Sequence, residues 1–180
     1  MSLDKIYEDI NVCSKCELCK NRITQYHYRG NPNSGIIFIG EAPGEDEQIK
    51  GYPFVGRCGK LLDRLLFEIG IDVDKHIYIT NIVKCRPPNN RAPLQHEILA
   101  CEIYLIEEIR EIKPRLIITL GRTSGYWWNK NKDFDFGVYY QEKRWLPMYH
   151  PSYLLRRKDL IPEWKKTMMK VVSAVNDSEF

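Results

Sequence analysis

The stretch Ile36-Ile37-Phe38-Ile39-Gly40-Glu41-Ala42-Pro43-Gly44-Glu45-Asp46-Glu47 decides the architecture. Its first four residues are apolar on both faces, the pattern of a strand in a parallel sheet covered by helices. Gly40 ends the run and opens a glycine- and acid-rich loop. Three comparable runs follow: Ile77 to Thr80, Leu116 to Leu120 closed by Gly121, and Trp145 to Tyr149. The segments around them carry apolar residues at helical spacing. These predict helices over Leu3 to about Asn11, through Leu61, Leu62, Leu65, Leu66 and Ile69 with Gly70 as the stop, and from Leu94 to Lys113 with Pro114 beyond. A short helix follows Gly121 as far as Trp127 or Trp128, and a last one holds Leu160, Trp164, Met168, Val171 and Val172. Strands alternating with helices imply right-handed crossovers. The expected class is α/β: a three-layer α/β/α sandwich around a mostly parallel four-stranded sheet, as one domain over 1–180.

The bulk properties agree. A chain of 180 residues is long enough to bury about 70% of its unfolded surface. With 43% hydrophobic and 28% charged residues it falls outside the disordered and collagen-like classes. No apolar run approaches the ~20 residues of a membrane span, and MSLDKIYEDI lacks the basic start and apolar centre of a signal peptide. The expectation is a soluble, cytoplasmic monomer. The net charge of +3 is too small to argue for a polyanionic partner by itself. Any basic surface must be local, and Arg144, Arg156, Arg157, Lys158, Lys165, Lys166 and Lys170 are the candidates.

Six cysteines in a chain able to build its own core argue against a disulfide framework. Three of them stand in Cys13-Ser14-Lys15-Cys16-Glu17-Leu18-Cys19, and C-x-x-C spacing lets two thiolates from one turn face a common metal centre. Cys85 and Cys101 are available to complete a four-sulfur site, with Cys19 as a spare. Zinc and an iron-sulfur cluster both accept four cysteines, and spacing does not separate them. Cys58, just before a helix, reads as a small buried residue.

In a parallel α/β sheet, ligands bind beyond the carboxyl ends of the strands. The residues at those ends are Gly40-Glu41, Asn81, Gly121 and His150. A glycine loop, a carboxylate, an amide and an imidazole meeting in one crevice can bind a polar heterocycle and stabilise negative charge. Phe54, in Gly51-Tyr52-Pro53-Phe54-Val55-Gly56, is placed to stack on a base. The GEAPGEDE loop has neither G-x-G-x-x-G nor a P-loop lysine, so a nucleotide-phosphate site has no support.

Taken in order, CSKCELC, GEAPGEDE, GYPFVGRCGKLLD, YITNIVKCRPPNNRAP, Cys101 and MYHPSYLL resemble the family 4, iron-sulfur type of uracil-DNA glycosylases over about Cys13 to Leu155. The resemblance implies a 4Fe-4S cluster on Cys13, Cys16, Cys85 and Cys101. It also implies a uracil pocket built from Gly40, Glu41, Ala42, Pro43, Gly44, Phe54, Asn81 and His150. Asn81 selects uracil by its amide and His150 donates toward O2. Leu154 is then the wedge that fills the vacated stack, and Ser152, Arg91 and Arg156 face DNA. Ala42 stands where the best-known superfamily members have Asp, and Gly44 where they have Tyr. Glu41 or Glu47 is therefore expected to orient water. The implied activity is hydrolysis of the deoxyuridine glycosidic bond in single- or double-stranded DNA, which starts base-excision repair, with replication or repair proteins as further partners. The rival readings are a non-catalytic, uracil-sensing cluster module attached to a replication protein, and a zinc-stabilised domain with another ligand.

Overall fold

The computed structural model describes residues 2–22 and 27–177. Its helices are α1 (Leu3–Asn11), α2 (Glu45–Lys50), α3 (Arg57–Phe67), α4 (Val73–His76), α5 (Gln95–Ile112), α6 (Arg122–Trp128), α7 (Pro151–Leu154) and α8 (Ile161–Asp177). The strands are β1 (Arg29–Gly30), β2 (Ile36–Gly40), β3 (Tyr78–Asn81), β4 (Leu116–Leu120) and β5 (Trp145–Met148). They form one sheet in the order β1-β3-β2-β4-β5. All pairings are parallel except β1 with β3. No helix among the described residues is long and apolar enough to cross a membrane.

The α/β class and the four long strands stand as expected, but the sheet has five strands rather than four. The extra one is a two-residue edge, Arg29–Gly30, too short for its periodicity to register in sequence. Gly30 takes φ 91 there, and a Cβ on it would come 2.1 Å from the Ile77 carbonyl oxygen. Residues 45–50, which read as acidic loop, form α2 instead. Gly44 opens it, and the Glu47 side chain reaches back to accept from the Gly44 N–H at 3.1 Å. Pro147 is accommodated because β5 lies on the outer edge, where one side of the strand needs no donor. At the end of α5, Lys113 turns to φ 48 before Pro114.

Alternation along the strands sorts the core into two layers. Phe38, Ile79, Ile118 and Leu146 face α3 and α8, meeting Leu62, Leu66, Trp164 and Met168. Ile37, Tyr78, Ile117 and Trp145 face the opposite way, toward Ile6 and Ile10 of α1 and Ile98 and Leu105 of α5. Register brings the strand ends level, with Gly40 beside Asn81 and Leu120 beside Met148. The chain leaves β2 toward one side of the sheet and β4 toward the other, so the topological switch point lies between their carboxyl ends.

One charged pair sits inside this frame. Lys84 Nζ donates to Glu108 Oε2 at 2.6 Å and to Thr80 Oγ1 at 2.7 Å, with both charged side chains shut off from solvent. The pair ties the chain just after β3 to the middle of α5. Replacing Lys84 by Met strands the Glu108 carboxylate and is expected to lower the unfolding free energy by about 3–5 kcal/mol. The Lys84→Met/Glu108→Leu double variant should recover most of that loss, and urea denaturation of both proteins checks the pair.

Candidate functional site

The strand ends enclose a crevice of about 300 Å³ lined by Glu41, Phe54, Cys58, Asn81, Arg91 and His150 among others. Ala42, Pro43, Gly44, Glu47 and Ser152 complete most of its wall. A larger open groove of about 670 Å³ beside Asp63, Phe67 and Asp74 lies apart from all of these residues. The smaller crevice is the one with chemistry in it.

Asn81 ends β3, is 4% exposed, and its Oδ1 is buried without a hydrogen-bond partner. A buried amide oxygen left unpaired costs roughly 1–3 kcal/mol, so the position favours a ligand that brings its own donor. Gly40, paired beside it, is glycine for a steric reason. A Cβ there would lie 2.3 Å from Asn81 Oδ1 and 2.6 Å from the Phe54 ring. Phe54 itself has φ 55, a left-handed conformation unusual for an aromatic residue. Its carbonyl accepts from Arg29 Nη1 at 2.7 Å, and Arg29 also pairs with Asp63 of α3. Gly59 leaves room for that carbonyl, since a Cβ would fall 1.8 Å from it. The strain thus holds a flat ring at the crevice, 5.8 Å between centroids from His150.

His150 follows β5 and precedes Pro151, which starts α7. Its Nδ1 accepts from the Ser152 N–H at 3.1 Å and contacts Ser152 Oγ at 2.8 Å. A backbone N–H can only donate, so Nδ1 is unprotonated and the neutral ring carries its proton on Nε2. Burial holds the imidazole well below its ordinary value, at about 4. The ring is therefore a neutral donor at pH 7.

The two candidate carboxylates have different duties. Glu47 Oε1 accepts from the N–H groups of Val55 at 2.9 Å and Gly56 at 2.8 Å, while Oε2 accepts from Gly44. It joins the glycine loop to the Phe54 loop. Glu41 accepts from Thr123 Oγ1 through Oε2, across the switch point between β2 and β4. No hydrogen bond engages its Oε1 among the described residues, and Glu41 lines the crevice.

The side chains expected to meet DNA divide. Arg91 reaches the crevice but is held by Glu97, at 2.8 Å through Nη1 and 2.6 Å through Nη2. Ser152 is at the rim, engaged with His150, and Arg156 is exposed. Leu154 does not fit the expected wedge. The HPSYLL segment is a helical turn rather than an extended loop, and the turn carries Leu154 inward to 0% exposure in the layer shared with α3 and α8. Sequence reasoning passed over Thr123 and Asn90. Thr123 follows the strand-end Gly121, and Asn90 lines the crevice from the KCRPPNNRAP loop. Cys58 is half-buried in the crevice wall, and burial pushes its thiol up, as expected of an unreactive cysteine.

Beyond the same carboxyl end of β3, a few residues after Asn81 in the chain, Cys85 shares a single cavity with Cys13, Cys16, Cys19 and Cys101. Lys84 N–H donates to Cys101 Sγ at 3.3 Å and Lys15 N–H points to Cys13 Sγ at 3.5 Å. Burial pushes the Cys85 thiol up to about 12 and that of Cys101 to about 11. Such a cavity opposes free thiolates and favours a cationic centre that would neutralise them. No group of three or more His, Cys, Asp or Glu side chains among the described residues closes on a single metal ion. Cysteines gathered around one cavity are the donor chemistry of a four-sulfur site, which iron-sulfur clusters and zinc both use.

The family model of the uracil DNA glycosylase superfamily matches residues 27–173. The chain is similar to a type-4 uracil-DNA glycosylase of Archaeoglobus fulgidus, at 39% identity over 94% of this chain and 92% of the relative. A type-4 uracil-DNA glycosylase of Saccharolobus solfataricus is 41% identical over 97% of this chain and 87% of its own length. One from Sulfurisphaera tokodaii is 42% identical over 92% and 83%.

Two imidazoles carry a pH signature. An unfolded histidine gains its proton near 6.5, whereas half-buried His150 does so only at about 4 and buried His27 at about 3. Between those values the unfolded chain binds more protons, so both residues make stability fall as pH drops from about 6.5 toward 4. Nitrogen NMR across this range is expected to show His150 as the neutral Nε2–H tautomer until pH nears 4.

Proposed function

The chain belongs to the uracil DNA glycosylase superfamily and, within it, to the type-4 uracil-DNA glycosylases, and we propose that its strand-end crevice excises uracil from DNA. The observation that carries this reading is the buried, unpartnered Asn81 Oδ1. A uracil extruded from the stack brings N3–H to that oxygen and O4 to the amide hydrogens on Nδ2. Cytosine presents an acceptor at N3 and an amino group at C4, leaving polar atoms unpaired on both sides. Phe54 stacks on the ring. As the C1′–N1 bond lengthens, its electron pair passes to the base and charge builds on O2, where the Nε2–H of His150 donates. Backbone N–H groups of the Gly40 to Gly44 loop stabilise the same anion.

Water adds to C1′ of the cationic sugar and loses a proton. Glu41 is the carboxylate assigned to it, because Thr123 occupies only Oε2, whereas Glu47 spends both oxygens on backbone. Glu47 is a positioning residue that sets the pocket wall beside Ala42, Pro43 and Gly44. Ser152 and Arg156 face the phosphates, and Arg91 braces the rim through Glu97. The protein acts as a monomer on uracil-containing DNA.

Cys13, Cys16, Cys85 and Cys101 hold a 4Fe-4S cluster in this reading, supported by their shared cavity. When bound, the group supplies a crosslink between the N-terminal segment, the loop after β3 and α5. Chemical analysis is expected to return iron and acid-labile sulfide rather than zinc, and Cys85→Ser should lose both and melt at a lower temperature.

Alkaline strand scission of oligonucleotides carrying one uracil tests the activity, with thymine and cytosine strands as controls. Cleavage is expected at uracil alone. His150→Ala is expected to lower kcat by roughly 10²- to 10³-fold, and Asn81→Ala to remove the discrimination against cytosine along with most of the rate. Iron-loaded protein that binds uracil DNA without cleaving it would replace this reading with a uracil sensor.

A further inference from the structure

Three aromatic rings form a row, and two of them, Tyr149 and Tyr153, flank His150 in the chain. Phe136 lies 4.5 Å from Tyr149 between ring centroids, and Tyr149 lies 5.2 Å from Tyr153 at an interplanar angle of 27°. None is part of the catalytic apparatus, and all are half-buried rather than sealed in the core. The row is held from below, since the Tyr149 carbonyl accepts from Trp164 Nε1 of α8 at 3.2 Å. It is also held against the site. Tyr153 N–H donates to the His150 carbonyl at 2.9 Å, so its backbone cannot move without moving the imidazole.

Cations accompany the rings. The guanidinium of Arg122 lies 5.9 Å from the Phe136 centroid and 6.0 Å from that of Tyr126, with Nη1 donating to Tyr126 Oη at 2.9 Å. Arg122 directly precedes Thr123, the partner of Glu41. Arg156 is exposed three residues beyond Tyr153, and no ion pair engages it or Arg122 among the described residues. Asp159 is occupied by Arg157 at 2.7 Å, while Asp135, beside Phe136 in the chain, and Glu163, beside Trp164, are exposed carboxylates. Aromatic rings interleaved with unpaired arginines are the recipe for binding single-stranded nucleic acid, in which bases are free to stack and phosphates need cations.

On the reading that this crevice takes uracil from DNA, we infer that Tyr153, propped by Tyr149 and Phe136, is a stacking platform for the unpaired nucleotide next to the extruded uracil, with Arg122 and Arg156 holding the adjoining phosphates. With Leu154 buried, Tyr153 is the one ring among the half-buried side chains of α7. The assignment makes single-stranded DNA the preferred substrate. In a duplex the flanking base is already stacked and paired, so it gains little from the ring.

The test uses binding, which does not depend on turnover. A single-stranded oligonucleotide with one tetrahydrofuran abasic analogue in place of deoxyuridine, and the duplex formed with its complement, are titrated by fluorescence anisotropy. Tyr153→Ser is expected to weaken single-strand binding by roughly tenfold or more, with duplex binding changed less than about twofold and Tyr153→Phe indistinguishable from the parent. A 2-aminopurine beside the analogue should be quenched by the parent and by Tyr153→Phe, but not by Tyr153→Ser. Equal weakening of both DNA forms, no weakening of either, or a Phe variant as poor as the Ser variant would overturn the platform. A parent protein that binds neither form would instead remove the uracil-DNA reading on which the platform rests.

Discussion

The ammonium of Lys84 is the point on which the arrangement turns. It is enclosed between the sheet and α5, where a charge is tolerable only because Glu108 and Thr80 meet it at hydrogen-bond distance. Three things follow from that placement. Thr80 is held, and with it the register that sets Asn81 at the end of β3. The Lys84 backbone donates to Cys101, so the cysteine cavity is tied to the same residue. Glu108 anchors α5, the helix that carries Cys101 and closes one layer of the core. The Asn81 amide and the cysteine cavity are thus joined by one short buried segment, Asn81 to Lys84.

The crevice shows a division between polar groups that are used up and polar groups left over. Glu47 has its oxygens on three backbone N–H groups, Arg91 is locked to Glu97, and His150 Nδ1 is committed to Ser152. Left over are Asn81 Oδ1, the second oxygen of Glu41 and the Nε2–H of His150. Groups in the first set shape the pocket, and groups in the second are the ones left available to a ligand. Preorganisation of this kind matters because donors and acceptors already in place need no reorganisation when charge develops. The positive φ at Phe54 belongs to the same economy, since the strain is held by Arg29 and by the space that Gly59 leaves.

Much of this could be read in the chain itself. The runs at 36–39, 77–80, 116–120 and 145–149 read as strands bounded by turn residues, and the positions that follow them include Asn81 and His150. The C-x-x-C spacing and the two distant cysteines likewise pointed to one cavity, which they share. What escaped had no local signature. Arg29–Gly30 is a strand only because β3 offers an open edge. The acidic stretch at 45–50 is helical because Glu47 caps Gly44. Leu154 is a wedge only by the resemblance of its motif, and one helical turn sends it into the core.

Apolar spacing and glycine or proline punctuation act over a few residues, so the periodicities, and with them the layers, the strand ends and the residue types gathered there, are legible locally. Folding settles which of two similar carboxylates is free, which amide oxygen is orphaned, which nitrogen of an imidazole holds the proton and which leucine is hidden. Each of those outcomes depends on a hydrogen-bond partner or a packing surface brought from elsewhere in the chain, and no local pattern encodes the partner's arrival.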